Sequence, residues 1–333
     1  MASYDSPAQE PAAQLPISLE RPVRLGRRTL AGLLVRALRV DMALALVMPT
    51  LVGAFLGAWV NGGMAWLPFA FTFTSILCVA VTYQAYVALG DVRQSFSTHA
   101  RATVDLPDTA FSAIVDGVLP IPLVTSLAHL LLTLGIMCGL WLALLTGWPV
   151  LFFGALSLLL VATSFAPPIR YAYRGWGVGE LGVSIGLGLL PLVNAYYIQT
   201  QSLSWLPVMA GIPIVLLSLW TLLAQNLGSR RRDWLMDKRT LPVITGEARA
   251  LDLGVVVTLL AYASILLVTV AARLPLWLLS GLATLPLAQG AFAEIRRNNV
   301  TPEDGYRLRD AAVKATIWTG ILTCAALLLS GAG

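Results

Sequence analysis

The sequence has little charge for its length. Only 12% of its 333 residues are Asp, Glu, Lys or Arg, whereas 57% are apolar. A soluble domain carries about twice that charged fraction, because its surface has to be solvated by water. The low charge therefore excludes an ordinary soluble enzyme. Apolar runs of about 20 residues recur along the whole chain, which predicts a protein that crosses a membrane many times.

Cysteine is also scarce. Cys78, Cys138 and Cys324 each lie alone inside an apolar segment, and none belongs to a CxxC pair or a Cys/His cluster. The sequence therefore predicts neither a disulfide framework nor a zinc site. The N-terminal region lacks the short apolar core and small-residue cleavage site of a signal peptide. We expect residues 1–35 to form a disordered basic segment and residues 36–333 to form one polytopic domain.

The apolar runs predict an all-α integral membrane protein with about nine transmembrane helices bundled around a central apolar cavity. The predicted helices lie near 37–60, 64–89, 119–145, 149–166, 180–199, 206–227, 250–271, 275–293 and 311–331. The connections between them alternate in character. Four are short and nearly uncharged, and the other four are longer and polar, at 90–118, 167–179, 228–249 and 294–310.

Basic residues are distributed very unevenly over these connections. The N-terminal segment contains six Lys and Arg, the long loops with the adjoining Lys314 contain fifteen, and the short loops contain only Arg273. Lys and Arg concentrate on the cytoplasmic side of membrane proteins. We therefore expect the N-terminus and the long loops to be cytoplasmic and the C-terminus to lie outside. This distribution also accounts for the net charge of +5 without a nucleic-acid partner.

Apart from residues at their very ends, the predicted helices contain almost no charge; Asp41, near the start of the first helix, and His129 in the third are the exceptions. A proton-coupled transporter usually keeps such groups near the bilayer midplane, so the sequence disfavours a transporter. The polar chemistry lies in the long loops instead. That pattern suits a site open to the cytosol above an apolar cavity that holds a lipid-like chain.

The most charged stretch, "QNLGSRRRDWLMDKRTLPVITG" at 225–246, follows an apolar helix. Asp233 and Asp237 are four residues apart and share one face if the helix continues, and Lys238 and Arg239 follow them. Carboxylates are hard ligands for Mg²⁺, and Lys or Arg neutralise phosphate oxygens. The stretch suits a Mg²⁺-bridged diphosphate. The alternative is that its charges only set the membrane topology.

The loop at 90–118 contains four aspartates. They are Asp91, Asp105, Asp108 and Asp116. Acidic residues contribute little to membrane topology, so these aspartates need another reason. A second metal-binding loop that faces the first would supply one. The alternative is a solvated loop, since "DLPD" is a favourable turn sequence.

Several segments, in order along the chain, resemble the UbiA superfamily of intramembrane prenyltransferases, and within it the menaquinone-type branch that prenylates dihydroxynaphthoate. The best match is 165–200, which contains Tyr-Arg-Gly at 173–175, then Glu180, and Tyr-Tyr-Ile-Gln-Thr at 196–200. "DKRTLPVITG" at 237–246 and "VDLPDTAFSAIVDGVLP" at 104–120 are also similar to family segments. The resemblance covers about residues 35–330.

Both aspartate-rich motifs of that family are incomplete here. The first motif retains Asp91 but has Gln94 in place of its second carboxylate, and the second retains Asp233 but has Ser229 in place of its first. Ser and Gln are poor Mg²⁺ ligands, so the resemblance implies a weakened magnesium site. Three arginines at 230–232 bring side chains that bind phosphate directly. Either these cations partly replace a metal, or the site no longer performs chemistry.

The resemblance implies an enzyme of the bacterial inner (plasma) membrane that transfers a polyprenyl group from an allylic diphosphate to an aromatic, quinone-precursor acceptor. Its site would face the cytoplasm. The implied catalytic residues are Asp91 and Asp233, and the implied Mg²⁺ ligands are Asp91, Asp105 and Asp233. The implied diphosphate-binding residues are Lys238, Arg239, Arg174 and Arg230. The implied residues of the substrate cavity are Asn226, Tyr173 and Tyr197.

The incomplete motifs leave a second function open. A catalytically degenerate relative would keep the isoprenoid cavity and its basic mouth. It would bind an isoprenoid, a quinone or a pigment, or serve as a subunit of a membrane complex.

Overall fold

The computed structural model of the protein describes residues 38–98 and 119–331, together with Gly32, Leu34, Val35 and Ile114; at 94–98 it describes the backbone alone. All secondary structure in these residues is helical, which confirms the predicted fold class. The predicted N-terminal segment lies almost entirely outside the described residues, as does most of the loop at 99–118.

Eleven helices are numbered here in chain order. They are α1 (Val40–Asn61), α2 (Trp66–Thr98), α3 (Ile121–Thr146), α4 (Pro149–Phe165), α5 (Val178–Thr200), α6 (Leu206–Gly228), α7 (Arg230–Leu235), α8 (Leu241–Thr245), α9 (Glu247–Ala271), α10 (Leu276–Ala293) and α11 (Pro302–Gly331). Within the described ranges, eight are long and apolar enough to cross a membrane. The remaining predicted span, α4, has 17 residues.

Two long helices extend beyond their predicted ends. Helix α2 continues to Thr98, past the predicted end at 89, because Leu89 and Val92 are still buried against the bundle. Asp91 therefore lies on a helix and not in a loop. Helix α11 begins at Pro302, about two and a half turns before the predicted start at 311.

A capping box accounts for the early start of α11. The backbone N–H of Thr301 donates to Asp304 Oδ2 at 2.9 Å, and the N–H of Asp304 donates to Thr301 Oγ1 at 3.2 Å. These reciprocal bonds satisfy donors that a helix start otherwise leaves unpaired. The Thr-Pro-Glu-Asp sequence at 301–304 contains this capping box, but the hydropathy pattern alone does not reveal a helix start there.

Helix α1 lies at the centre of the bundle. It packs against α2, α5, α6 and α11. In its most apolar 18-residue stretch 72% of the residues are buried, compared with 22% in the corresponding stretch of the peripheral α3. Its contact with α5 is very close at Gly53, where an added Cβ would overlap the carbonyl group of Leu192. The two helices can approach this closely only because residue 53 has no side chain.

Three segments meet at one end of the bundle. They are the end of α2, the turn at 171–177 that leads into α5, and the segment from the end of α6 through α7 to α8. The backbone N–H of Arg239 donates to the carbonyl of Tyr173 at 3.3 Å, and Asp91 on α2 pairs with Lys238 after α7. These contacts place residues distant in sequence around one cavity.

Substitution of Gly53 tests the central packing of α1. Gly53→Ala inserts a methyl group against the α5 backbone, and such overpacking costs about 1–3 kcal/mol. We expect a lower midpoint of thermal unfolding in detergent for this variant.

Gly290→Ala on α10 is the matched control, because no atom lies within 4 Å of a Cβ built there. Equal midpoints for the two variants would contradict the close packing of α1 against α5.

Candidate active site

A buried polar cavity of about 60 Å³ lies at the end of the bundle where the three segments meet. Residues of α1, α2, α4, α5, α6 and α7 line it, together with residues of the loops that flank α5 and α7. Its charged lining residues are Arg39, Asp91, Glu180, Arg232 and Lys238. Buried charges in the described part of the chain are thus concentrated in this cavity.

Asp91 on α2 pairs with two cations from the segment after α6. Arg232 Nη2 lies 3.4 Å from Asp91 Oδ2, and Lys238 Nζ lies 3.7 Å from Asp91 Oδ1. The Asp91 and Arg232 side chains are only 3% and 2% exposed. The charged segment that begins at residue 90 and the charged segment at 225–246 therefore meet, and an ion-pair network joins them.

Asp233 lies behind Lys238 and is not among the residues that line the cavity. Its Oδ2 accepts hydrogen bonds from Ser229 Oγ at 3.1 Å and Thr240 Oγ1 at 3.2 Å, and its Oδ1 lies 3.7 Å from Lys238 Nζ. The side chain is fully buried. Asp233 therefore holds the lysine in position, and the lysine is what this segment presents to the cavity.

The surroundings of Lys238 keep it charged. Burial by itself lowers the pKa of Lys238, but the carboxylates of Asp233 and Asp91 outweigh burial and raise its pKa above the ordinary value. Burial raises the pKa of Asp233, while Lys238 and Arg232 oppose that effect. The two carboxylates thus favour the charged form of the Lys238 ammonium, which lies beside the Arg232 guanidinium in the cavity.

Glu180 and Asn226 join α5, α6 and α8 at the cavity wall. Asn226 Nδ2 donates to Glu180 Oε1 at 2.8 Å, and the backbone N–H of Leu241 donates to the same oxygen at 3.3 Å. Asn226, a predicted cavity residue, lies in the cavity, and Glu180 fixes its orientation.

Tyr173 lies in the cavity wall with its ring facing Lys238, whose Nζ is 5.4 Å from the ring centroid. Gly175 allows this turn to approach the Lys-Arg-Thr segment. It has φ of +90°, and a Cβ there would overlap Ile244 and lie 3.1 Å from the carbonyl oxygen of Arg239. The Tyr-Arg-Gly and Lys-Arg-Thr segments are therefore in direct contact beside the cavity.

Three predicted diphosphate-binding arginines lie outside this cavity. Arg174 and Arg239 line a separate outer hollow beside Lys238, and the Arg239 side chain is 68% exposed. Arg230 pairs with Glu247 and donates to the carbonyl of Pro242 at 3.1 Å. The structure therefore directs Arg230 to α8 and α9, away from the cavity.

Other placements also differ from expectation. Tyr197 Oη donates to the carbonyl of Thr146 at 3.1 Å, at the opposite end of the bundle, so Tyr197 does not line the polar cavity. Helix α7 ends at Leu235, and Asp237 has a left-handed φ of 51° and an 88% exposed side chain. The helix therefore does not continue from Asp233 to Asp237, and the two carboxylates do not share a helix face. Asp105 lies outside the described residues.

Sequence reasoning missed Arg232 as the arginine that enters the cavity. A signal was present, because Gln225, Ser229 and Arg232 follow helical spacing of four and then three residues, and all three line the cavity. Gln84 and Tyr83 on α2 also line it and were missed. They lie inside an apolar span, where no charged pattern distinguishes them.

The described residues do not fit a Mg²⁺ site. Magnesium needs near-octahedral oxygen ligation. No group of three or more His, Cys, Asp or Glu in the described ranges is placed to hold a metal ion. Of the cavity-lining carboxylates there, Asp91 is already paired with two cations and Glu180 already accepts two hydrogen bonds.

An apolar cavity of about 250 Å³ lies next along the bundle axis. On α2 its lining residues lie at 72–79, and those of the polar cavity lie at 83–91. On α5 the corresponding residues lie at 191–198 and at 179–183. A ligand with a polar head and a long apolar tail fits this arrangement.

The comparisons with known proteins agree with this geometry. The model of the UbiA prenyltransferase family matches residues 105–318. The chain is 29% identical over 270 residues to a 1,4-dihydroxy-2-naphthoate octaprenyltransferase of Mycobacterium tuberculosis, covering 78% of this chain and 86% of that protein. It is 28% identical over 204 residues to a 2-carboxy-1,4-naphthoquinone phytyltransferase of Synechocystis, covering 60% and 64%.

Solved structures share the fold. A UbiA homologue from Archaeoglobus fulgidus bound to GPP and Mg²⁺ superposes with a TM-score of 0.58 at 14% identity, covering 88% of this chain and 99% of that one. A digeranylgeranylglyceryl phosphate synthase gives 0.54 at 12% identity, covering 90% and 99%. The predicted resemblance is confirmed: the chain belongs to the UbiA prenyltransferase family.

Proposed function

We propose that the protein transfers a polyprenyl group from an allylic diphosphate to an aromatic acceptor of the quinone-precursor type, within a membrane. The observation that carries this proposal is the juxtaposition of a cation-bearing polar cavity with an apolar cavity along the same helices. The two naphthoate-related relatives support an acceptor of that class. The distribution of Lys and Arg supports a cavity mouth that faces the cytoplasm, and the location proposed with it is the bacterial inner (plasma) membrane.

In this proposal the diphosphate lies at Lys238 and Arg232. The bond between the allylic carbon and the diphosphate oxygen breaks, and its electron pair leaves with the diphosphate. Preorganised donors stabilise the charge that develops on that oxygen. Lys238 and Arg232 are such donors, because Asp91 and Asp233 hold them in place before substrate arrives.

The allylic cation needs an environment that stabilises it without reacting. The ring of Tyr173 already faces one cation, Lys238, and an aromatic face attracts a carbocation in the same way. The acceptor ring then forms the new carbon–carbon bond and loses a ring proton or carbon dioxide. Burial of the cavity excludes water, which would otherwise capture the cation.

Two buried amides are suited to orient the acceptor. Gln84 and Gln225 line the polar cavity, and the Nε2 atom of each is buried without a hydrogen-bond partner in the part of the chain that the structure describes. Buried donors are normally satisfied. The oxygens of a hydroxylated aromatic acceptor would satisfy them and turn its ring toward the allylic carbon.

Two solved relatives from Archaeoglobus fulgidus contain Mg²⁺ together with GPP or DMAPP. Magnesium in such a site would neutralise phosphate charge. Since the described residues of this chain do not fit a Mg²⁺ site, the steps above assign that neutralisation to its own cations.

Release of pyrophosphate tests the proposed function. Purified full-length protein, supplied with a polyprenyl diphosphate and a panel of hydroxynaphthoates and hydroxybenzoates, should release pyrophosphate and form a prenylated product. Lys238→Gln removes a donor to the leaving group, so we expect kcat to fall by about 10²–10³. Arg297→Gln, which removes a cation from an exposed ion pair with Asp252, should leave kcat unchanged.

A different outcome would favour the degenerate-relative alternative. That outcome is no pyrophosphate with any acceptor, together with tight retention of a co-purified isoprenoid by both the parent protein and Lys238→Gln.

The apolar cavity should limit the length of the prenyl donor. Gly154 lines this cavity, and a Cβ built there meets no atom within 4 Å. Gly154→Leu should therefore fill tail-binding space without strain. We expect kcat/KM to fall by about tenfold or more for long-chain donors, since each lost methylene contact costs about 0.8 kcal/mol, and to change little for geranyl diphosphate. Equal losses for short and long donors would contradict this location of the tail.

A further inference from the structure

Position 229 gives the cavity a different chemistry from that of a metal site. Ser229 lines the cavity and donates a hydrogen bond to Asp233 Oδ2, which a carboxylate at that position could not do. Thr240 donates to the same oxygen. Asp233 Oδ2 thus accepts from Ser229 and Thr240, whereas its Oδ1 lies 3.7 Å from Lys238 Nζ and has no hydrogen-bond partner among the described residues. Asp233 is not among the residues that line the cavity.

The cavity surface carries donors where a metal would need acceptors. Lys238 and Arg232 both approach Asp91, at 3.7 Å and 3.4 Å. A fully formed charge-assisted hydrogen bond is about 2.7–2.9 Å long. The ion pairs with Asp91 are longer than that, so Asp91 holds the ammonium and the guanidinium in place without occupying all of their three and five N–H donors. Mg²⁺, by contrast, would meet two buried cations beside the same carboxylate.

The mouth of the cavity adds further positive charge. Arg93 and Arg170 line one adjoining hollow, and Arg174 and Arg239 line another; among the described residues that line these two hollows, Asp237 is the one carboxylate. Such an excess attracts an anionic ligand and compensates its charge at short range. The arginines that do not enter the polar cavity thus still contribute to its electrostatic field.

We propose that this site holds the diphosphate of its prenyl donor through Lys238 and Arg232 and does not need Mg²⁺ to do so. Asp91 and Asp233 act as positioning residues for these two cations and not as metal ligands. The proposal rests on the function proposed above and specifies how that site recognises its donor.

Direct binding tests this inference separately from turnover. Full-length protein in lipid nanodiscs is titrated with farnesyl diphosphate by calorimetry, once in EDTA and once in excess Mg²⁺. We expect the two Kd values to differ by less than about tenfold. Binding at least about a hundredfold weaker in EDTA would overturn the inference and leave the proposed function standing. No binding under either condition would overturn both.

Two variants sharpen this titration. Arg232→Gln should weaken binding in EDTA by about tenfold or more, because a charged donor to phosphate is lost. Arg297→Gln is the control for loss of a cation outside the cavity, and it should bind as the parent does. Equal Kd values for Arg232→Gln and the parent in EDTA would contradict a direct role of Arg232.

Ser229→Asp is the gain-of-function variant. It places a second carboxylate on the cavity surface and leaves both cations in the chain, so Mg²⁺ should now strengthen binding relative to EDTA by about tenfold or more. Thermal unfolding in detergent checks that each variant is folded. A Ser229→Asp protein that is folded and as indifferent to Mg²⁺ as the parent would contradict the role assigned to position 229.

Discussion

The site depends on one buried ammonium group held between two carboxylates. Lys238 lies 3.7 Å from both Asp91 and Asp233, which reach it from helix α2 and from the short helix after α6. Burying an unpaired charge costs several kcal/mol, so each member of this group requires the others. The requirement connects the two charged segments at this end of the bundle. It also fixes the orientation of the donors that face the cavity.

Much of the local structure follows from that constraint. Helix α2 continues past its apolar span, so that Asp91 can reach Lys238. The chain leaves helix geometry at Ser229, and the short helix α7 then turns Asp233 and Arg232 inward. Gly175 lets the Tyr173 turn lie against the returning loop, where its ring covers the ammonium. The Tyr-Arg-Gly segment at 173–175 and the Lys-Arg-Thr segment at 238–240, which both resemble family motifs, therefore pack against each other.

Hydropathy was sufficient to locate the membrane helices, since burial in lipid imposes long apolar runs. It could not predict that α2 continues as a helix to Thr98, because packing of Val92 and pairing of Asp91 decide that. Charge counting found the right loops but chose Arg230 over Arg232, since it did not use the helical spacing that places Gln225, Ser229 and Arg232 on one side of the chain. Helix length alone would have excluded Tyr197 from the polar cavity, because Tyr197 lies about 25 Å along α5 from Glu180, which lines that cavity.

The central claim is that cations of this chain, and not a metal held by its carboxylates, face the diphosphate. A cryo-EM structure in nanodiscs with a non-hydrolysable farnesyl thiodiphosphate, prepared in EDTA, tests it most directly. The account predicts phosphate density within about 3 Å of both Lys238 Nζ and the Arg232 guanidinium, with the tail in the apolar cavity. Ligand density that appears only with Mg²⁺, bridged by a metal to Asp91, would contradict it.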